Sequence, residues 1–498
     1  MSAVPFASLS VAMTTATDAA LRRHLARPDG QEDVCFALWR QSVGHARTTV
    51  LVSDVVLPEA GDRHRHGNAA FESRYFLRAA QVAAEAEAGL ALLHSHPSAR
   101  GWQGLSADDA DAERSHAPRA SALTGHSLVG LTLGTGDFTW SARRWDGPPG
   151  AERPAWADTM RVVGDQFRIS FNPTALPVPA LPPTLTRTTS AWGEEVQAML
   201  GRLRIGVVGV GSVGAIVAEA LARMGIGQVV MFDFDRVEDV NLDRLLHAGA
   251  QDGRLRRAKV EVAVRALRRN RANPSTKVDA YELSVVEPEG LAAALDCDVL
   301  FSCVDRPWPR HVLNFTAYAH LIPVVDGGIT VDAGGGAMRG AEWRAHVAAP
   351  GRRCLTCLGQ ADPGLVAVER EGLLDDPAYV QNLPPAHPVR QRENVFGFSL
   401  AAASAEILQF VSMVAAPAGT ADVGAQLFHL TTGTVDRDER GCEPGCLYTD
   451  RLVALGDHAD LVVTGRHPAA EQAREGHRAK RWSDRLVRLL EDLAERLA

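Results

Sequence analysis

The run Arg204-Ile205-Gly206-Val207-Val208 leads directly into Gly209-Val210-Gly211-Ser212-Val213-Gly214. After those glycines, Val213, Ile216, Val217, Ala220, Leu221 and Met224 recur at helical spacing. A second apolar run, Gln228–Phe232, ends at Asp233, about 20 residues past the loop. Strand, glycine turn, helix and second strand leave few alternatives. The pattern predicts a Rossmann-like α/β region whose helix N-terminus faces an anionic group. Read alone, the glycines point to NAD or FAD.

The residues that follow change the ligand. Asp233-Phe234-Asp235-Arg236-Val237-Glu238-Asp239-Val240-Asn241-Leu242-Asp243-Arg244 is succeeded by Lys259 and by Asn273-Pro274. The run Val299–Cys303 then ends in Val304-Asp305, with Arg310 and Asn314 beyond it. In this order and spacing the motifs resemble the ThiF/MoeB/ubiquitin-activating adenylyltransferases, over about Thr186 to Leu447. A dinucleotide site needs one acidic residue for the ribose. An adenylating site must also neutralise three phosphates and a magnesium ion. The resemblance implies ATP and Mg2+ as ligands, with Gly209, Gly211 and Gly214 at the phosphates and Asp233 on the ribose. Asn241 would orient the triphosphate, Arg244 and Lys259 would hold the phosphates, and Asp305 would hold Mg2+. Arg187 is the candidate for an arginine that reaches the phosphates of a partner subunit, since the resemblance also implies a homodimer.

A second constellation lies about 100 residues upstream. His94-Ser95-His96-Pro97 closes the apolar run Leu90–Leu93, and Ser106-Ala107-Asp108-Asp109 follows after eight residues. His-x-His on an extended chain sends both imidazoles to one side. Two histidines and a carboxylate, with a fourth position left to water, make a catalytic zinc set. Such a site needs a base for the water proton, and Glu32 is the candidate. These residues resemble the JAMM (MPN+) zinc metalloproteases. The resemblance implies Glu32 as base, His94, His96 and Asp109 as zinc ligands, and Ser106 as oxyanion donor. The loop from His96 to Ser106 is about two residues longer than the family pattern and holds Arg100-Gly101-Trp102. Asp108 competes with Asp109 for the ligand role, and the Ser-x-x-Asp spacing favours Asp109.

Four of the seven cysteines form two close pairs, Cys354/Cys357 and Cys442/Cys446, separated by 84 residues. Their spacings suit a structural zinc held tetrahedrally by four thiolates. The spare cysteines, Cys35, Cys297 and Cys303, lie in or beside apolar runs and read as small buried hydrophobes rather than thioester nucleophiles.

At 498 residues more than one domain is expected. The expected division is a JAMM-like α/β domain (cytidine-deaminase-like in fold) over 1–145 and a proline-rich linker over 146–185. A ThiF-like adenylation domain follows over 186–450, then a tail over 451–498 with an amphipathic helix through Leu486, Leu489, Leu490, Leu493 and Leu497. The proline-rich stretch Asn382–Pro388, before a helix Val395–Met413, reads as a crossover loop that clamps a substrate tail. The formal charge of −8 argues against nucleic acid, and no window approaches 18 uninterrupted apolar residues. The cysteine usage points to a cytoplasmic chain.

Together the motifs predict a bifunctional enzyme acting on a ubiquitin-like or sulfur-carrier protein with a C-terminal glycine. One site would hydrolyse the peptide or isopeptide bond after the glycine, and the other would adenylate the carboxylate. The alternative is an adenylyltransferase for a ribosomal or natural-product peptide, with the first domain as a trimming or docking module.

Overall fold

The computed structural model describes residues 8–479, apart from Gly67, Pro149, Gly150 and the stretches 334–336, 385–386 and 391–392. The first half is built on a nine-stranded sheet. Its spatial order is Phe167–Phe171, Thr159–Val163, Ser8–Thr14, Arg47–Val56, Val34–Val43, Gly89–His96, Val129–Gly134, Thr139–Asp146 and Arg153–Trp156. Buried helix residues Leu21 and Leu25 pack with one side of the sheet core, and Tyr75, Phe76 and Ala79 with the other.

This sheet corrects the expected linker. Three strands between Arg153 and Phe171 complete it, so the first domain runs well past 145 and the connector shortens to about 172–182. Prolines obscured them in the sequence. Pro154 sits on an edge strand, where its missing N–H is tolerated. Met160, Val162 and Val163 meanwhile form a buried strand parallel to Ser8–Thr14.

The second half carries an eight-stranded sheet in the order Lys277–Tyr281, Gln228–Phe232, Arg204–Val208, Val299–Ser302, Val324–Asp332, Gly340–Ala348, Ala425–His429, Thr434–Asp438. The first five strands are parallel and the remaining pairings antiparallel. This is the Rossmann-like arrangement expected from the glycine turn, and its ligand-binding edge lies outside the carboxyl ends of the parallel strands. Helix Phe396–Ala415 has a mean hydropathy of 1.5 and enough length to cross a membrane. Here Ala403, Phe410 and Met413 join the core, while Gln409 donates to the Gly424 carbonyl at 2.8 Å. The tail leucines from Leu486 onward lie outside the described residues.

The two halves share one core. Leu51, Val163, Phe167 and Phe171 pack in the same cluster as Leu203, Ile205 and Phe410. Across that boundary Asp298, 1% exposed, pairs with Arg47 at 2.6 Å and Arg161 at 2.9 Å, and accepts from the Arg204 N–H. Burial alone would raise this carboxyl, but the two guanidiniums hold it below its ordinary range. Removing the aspartate strands two cations in the interior, so Asp298→Ala is expected to cost about 3–5 kcal/mol in denaturant unfolding. A loss below about 1 kcal/mol would contradict the pairing.

Two buried histidines set an acid limit. Burial pushes His320 and His346 down to about 4, and His320 Nδ1 lies 2.8 Å from Ser42 Oγ of the first half. Both are neutral in the folded chain, whereas an unfolded histidine titrates near 6.5. Protons therefore bind the unfolded chain first. Stability is full above pH ~6.5 and falls as pH drops toward about 4. Unfolding midpoints measured at pH 7 and 4.5 should show this slope, and His320→Gln should flatten it.

Candidate functional sites

The glycine turn is built as its chemistry requires. Gly209 has a φ of +84°, and a Cβ there would lie 2.5 Å from the Cys303 carbonyl oxygen. Gly214 packs so closely that a Cβ would meet the Gly209 oxygen at 1.8 Å. Helix Ser212–Arg223 therefore starts directly over the strand ends, with its unpaired N–H groups facing a cleft of about 1360 Å3.

The sequence candidates Gly209, Gly211, Asp233, Asn241, Arg244, Lys259 and Asp305 all line this cleft, and Gly214 packs beneath it. The Asp233 carboxylate accepts from the N–H groups of Val210 and Asp235, both at 2.7 Å, which ties the glycine turn to the next strand. Burial pushes this carboxyl up, against the pull of Lys259. Lys259 Nζ is 2.8 Å from Asp235 Oδ2. Burial would lower the Lys259 pKa, but Asp233 and Asp235, with Asp305 beyond them, raise it and keep the ammonium charged. Arg244 stands at the rim, donating to the Val240 carbonyl and to Asp243. Arg187 is exposed on helix Thr186–Trp192 and does not line the cleft of its own chain. Asn314 is fully buried and accepts from the Leu355 N–H, so it holds the first cysteine pair rather than the cleft.

One side of the cleft is lined by Arg344 and Glu406, which the sequence reading missed, with Asp326 buried behind them. Asp326 is buried between Arg310 at 2.9 Å and Arg344, and accepts from Ser302 at 2.7 Å. Burial opposes its ionisation, yet the two arginines bring its pKa down to about 2. Burial, and then Asp326, push the Glu406 carboxyl beside it well above its ordinary value. Asp326 had a sequence signal, since like Asp233 it follows a short apolar run, here Val324-Val325, although its strand continues to Asp332. Arg344 had none, because only the antiparallel register with Gly328 brings it there. Cys303 lines this cleft rather than the core, but its thiol donates to Glu406 and is pushed far above its ordinary pKa. Burial also pushes Cys297 up to about 12 and raises Cys35, so none of the three is a ready thiolate. Just before helix Phe396–Ala415, Asn394 donates to Ser212 Oγ at 3.0 Å, which brings the start of that helix over the glycine turn.

The histidine cluster is equally compact. His94 and His96 end one strand, and Asp109 sits in the first turn of helix Ala107–Thr124. His94 Nε2 lies 3.2 Å from His96 Nε2 and 3.5 Å from Asp109 Oδ1, and His96 Nε2 lies 3.3 Å from Asp109 Oδ2. Zinc bonds of about 2.0–2.2 Å give tetrahedron edges of about 3.4 Å, so these donors fit a zinc ion. Asp109, not Asp108, stands within reach of both histidines. Burial works against the Asp109 charge, but the hydrogen bonds from both histidines and Ser106 hold it far below its usual pKa. His96 is raised, first by its bond to Asp109.

Glu32 lies across the adjacent strand. Val34 pairs with His94, so the same antiparallel register sets Glu32 opposite His96, and its charge contributes to raising His96. Ser106 caps the helix, accepting from the Asp109 N–H and donating to Asp109 Oδ2 at 2.7 Å. In this arrangement its hydroxyl orients the ligand, and the oxyanion role predicted for it competes with that bond.

The cysteine pairs converge as well. All four sulfurs lie within 4.8 Å of one another, with Cys354 Sγ 3.7 Å from Cys446 Sγ. Zn–S bonds of about 2.3 Å give an edge of about 3.8 Å, so the set is compatible with zinc. Cys354→Ser is expected to remove one zinc ion per chain and lower the thermal midpoint, and unchanged zinc content would refute the assignment.

Residues 185–420 match the ThiF family model. Within the curated proteins the chain is similar to the ubiquitin-like modifier-activating enzyme 5 of Drosophila willistoni, at 31% identity over 141 residues. That match covers 26% of this chain and 34% of the fly protein. With the Drosophila grimshawi enzyme it shares 36% over 122 residues, covering 22% and 29%. The chain thus spans about a third of the length of the curated relatives it matches. A structure of E. coli MccB with ATP superposes at a TM-score of 0.42 and 18% identity, covering 55% of this chain and 76% of MccB. The match takes in the Rossmann-like strands from Arg204–Val208 through Gly340–Ala348. The strands and cysteine pair after residue 420 extend beyond that match.

Proposed function

We propose that this chain frees and then activates the C-terminal carboxylate of a ubiquitin-like or sulfur-carrier protein ending in glycine. The observation that carries the reading is that Lys259, Arg244 and Asp305 line the same cleft as the start of helix Ser212–Arg223. Such a cleft is built for a triphosphate and its metal ion rather than for a dinucleotide.

In the adenylation step an oxygen of the carrier carboxylate attacks the α-phosphorus of ATP. The bond from that phosphorus to the oxygen bridging the β-phosphate breaks, and pyrophosphate leaves. Lys259, Arg244 and the helix N-terminus offset the charge that develops, Asp233 holds the ribose, and Asp305 would hold Mg2+. The carboxylate approaches from the side of Arg310, Arg344 and the crossover segment. In the hydrolytic step, His94, His96 and Asp109 would hold a zinc ion, which would supply Lewis-acid activation of a water molecule and of the scissile carbonyl. Glu32 takes the water proton and returns it to the departing amine. The four clustered cysteines would hold a structural zinc that ties the late strands to the domain. We place the protein in the cytoplasm as a homodimer through the ThiF-type half, where Arg187 is available to a neighbouring cleft.

ATP–pyrophosphate exchange tests the reading. It should require a small carrier protein ending in glycine. Exchange driven by a short free peptide instead assigns the chain to peptide modification, and no exchange with either removes the adenylation claim.

A further inference from the structure

Residues beyond 420 lie outside the ThiF match, yet the chain returns to the cleft well after that point. From the glycine turn the sheet steps outward through strand Gln228–Phe232, which leads to Asp233, to the edge strand Lys277–Tyr281. With phosphates at the turn and the ribose at Asp233, the base lies toward the residues that follow the edge strand. Leu283, Ser284 and Val285 are those residues, and all three line the cleft. His467 lines it too, together with Ala469, Gln472 and Ala473 of helix Pro468–Ala479.

This late segment is fastened at the base end of the cleft. Gly465 N–H donates to the Val286 carbonyl at 2.8 Å. Arg474 donates to the Glu282 carbonyl at 3.3 Å and pairs with Glu287 at 2.9 Å. Trp308 Nε1 donates to the Val463 carbonyl at 2.8 Å, and a Cβ on Gly465 would lie 3.2 Å from the Trp308 ring. Between these anchors His467, 7% exposed, sets its ring edge-to-face on Phe234 at 5.0 Å and on Trp308 at 5.9 Å. Phe234 is itself a cleft residue. The His467 Nδ1 is enclosed and has no hydrogen-bond partner among the described residues. Buried polar groups are normally paired, so a side chain kept only to fill space would carry no such nitrogen.

We propose that His467 and the first turns of helix Pro468–Ala479 form the wall that recognises the nucleotide base. This rests on the adenylation reading of the cleft. Phe234, Ala469 and Ala473 offer apolar surface to the face of a planar base, and His467 and Gln472 offer polar groups to its edge. The phosphates are then gripped within the family-matched region, while recognition of the base is completed by chain outside it. Contacts between a base and an aromatic wall change affinity by about 5–150-fold.

The test compares two ligands on the full chain by calorimetry: MgATP, and magnesium tripolyphosphate, which has three phosphates but no base. Wild type should bind MgATP more tightly. His467→Ala should weaken MgATP by about 5–150-fold and leave tripolyphosphate unchanged. Ala473→Trp, which fills the space for the base from a half-buried position, should do the same. It decides the matter if His467→Ala lowers the thermal midpoint. Wild-type MgATP affinity in both variants overturns the proposal, and so does an equal loss for both ligands. If wild type binds MgATP no tighter than tripolyphosphate, base recognition fails while the phosphate site stands. If it binds neither, the adenylation reading fails and the proposal with it.

Discussion

Lys259→Ala is expected to lower ATP–pyrophosphate exchange by about 10²–10³-fold, the usual loss when one preorganised charge is taken from a developing anion. The magnitude follows from what the substitution leaves behind. Lys259 is the buried cation set against Asp233 and Asp235. Without it both carboxylates face the incoming triphosphate unopposed, and their repulsion adds to the lost attraction. The KM for ATP should rise as well as kcat fall. Because Lys259 sits at the start of a helix whose core contacts are Val260, Val262 and Ala263, the thermal midpoint should change little. Undiminished exchange in this variant would show that the cleft does not bind the phosphates as described.

The second large effect is expected at Glu32. Glu32→Gln should slow bond cleavage by about 10²–10⁴-fold, the range for loss of a general base. It should leave zinc content unchanged, because the three zinc donors lie on other elements. That separation distinguishes a base from a ligand, and zinc lost together with activity would place Glu32 among the ligands. Equal cleavage by variant and wild type would remove it from the mechanism.

The two sites were legible to different degrees for physical reasons. Gly209 and Gly214 occupy positions that the backbone geometry reserves for glycine, so local sequence identified the turn. Asp233, Lys259 and Asp305 follow strand ends or open helices, which period and spacing also reveal. His94 and His96 needed only the two-residue period of a strand, and Glu32 needed in addition the register that sets Val34 against His94. Contacts made through pairing alone were not readable. Arg344 reaches Asp326 across an antiparallel register, and Glu406 comes from a helix about 80 residues further on. The strands of 153–171 were hidden by prolines that an edge position tolerates, and the Asp298 junction joins residues from three distant segments.

The central claim is that both sites serve one tail, and a carrier with extra residues after its terminal glycine tests it most directly. Wild type should cleave this blocked carrier and then support ATP–pyrophosphate exchange. Glu32→Gln should support exchange only when the carrier is supplied already trimmed. Equal exchange by Glu32→Gln with blocked and trimmed carriers would contradict the claim.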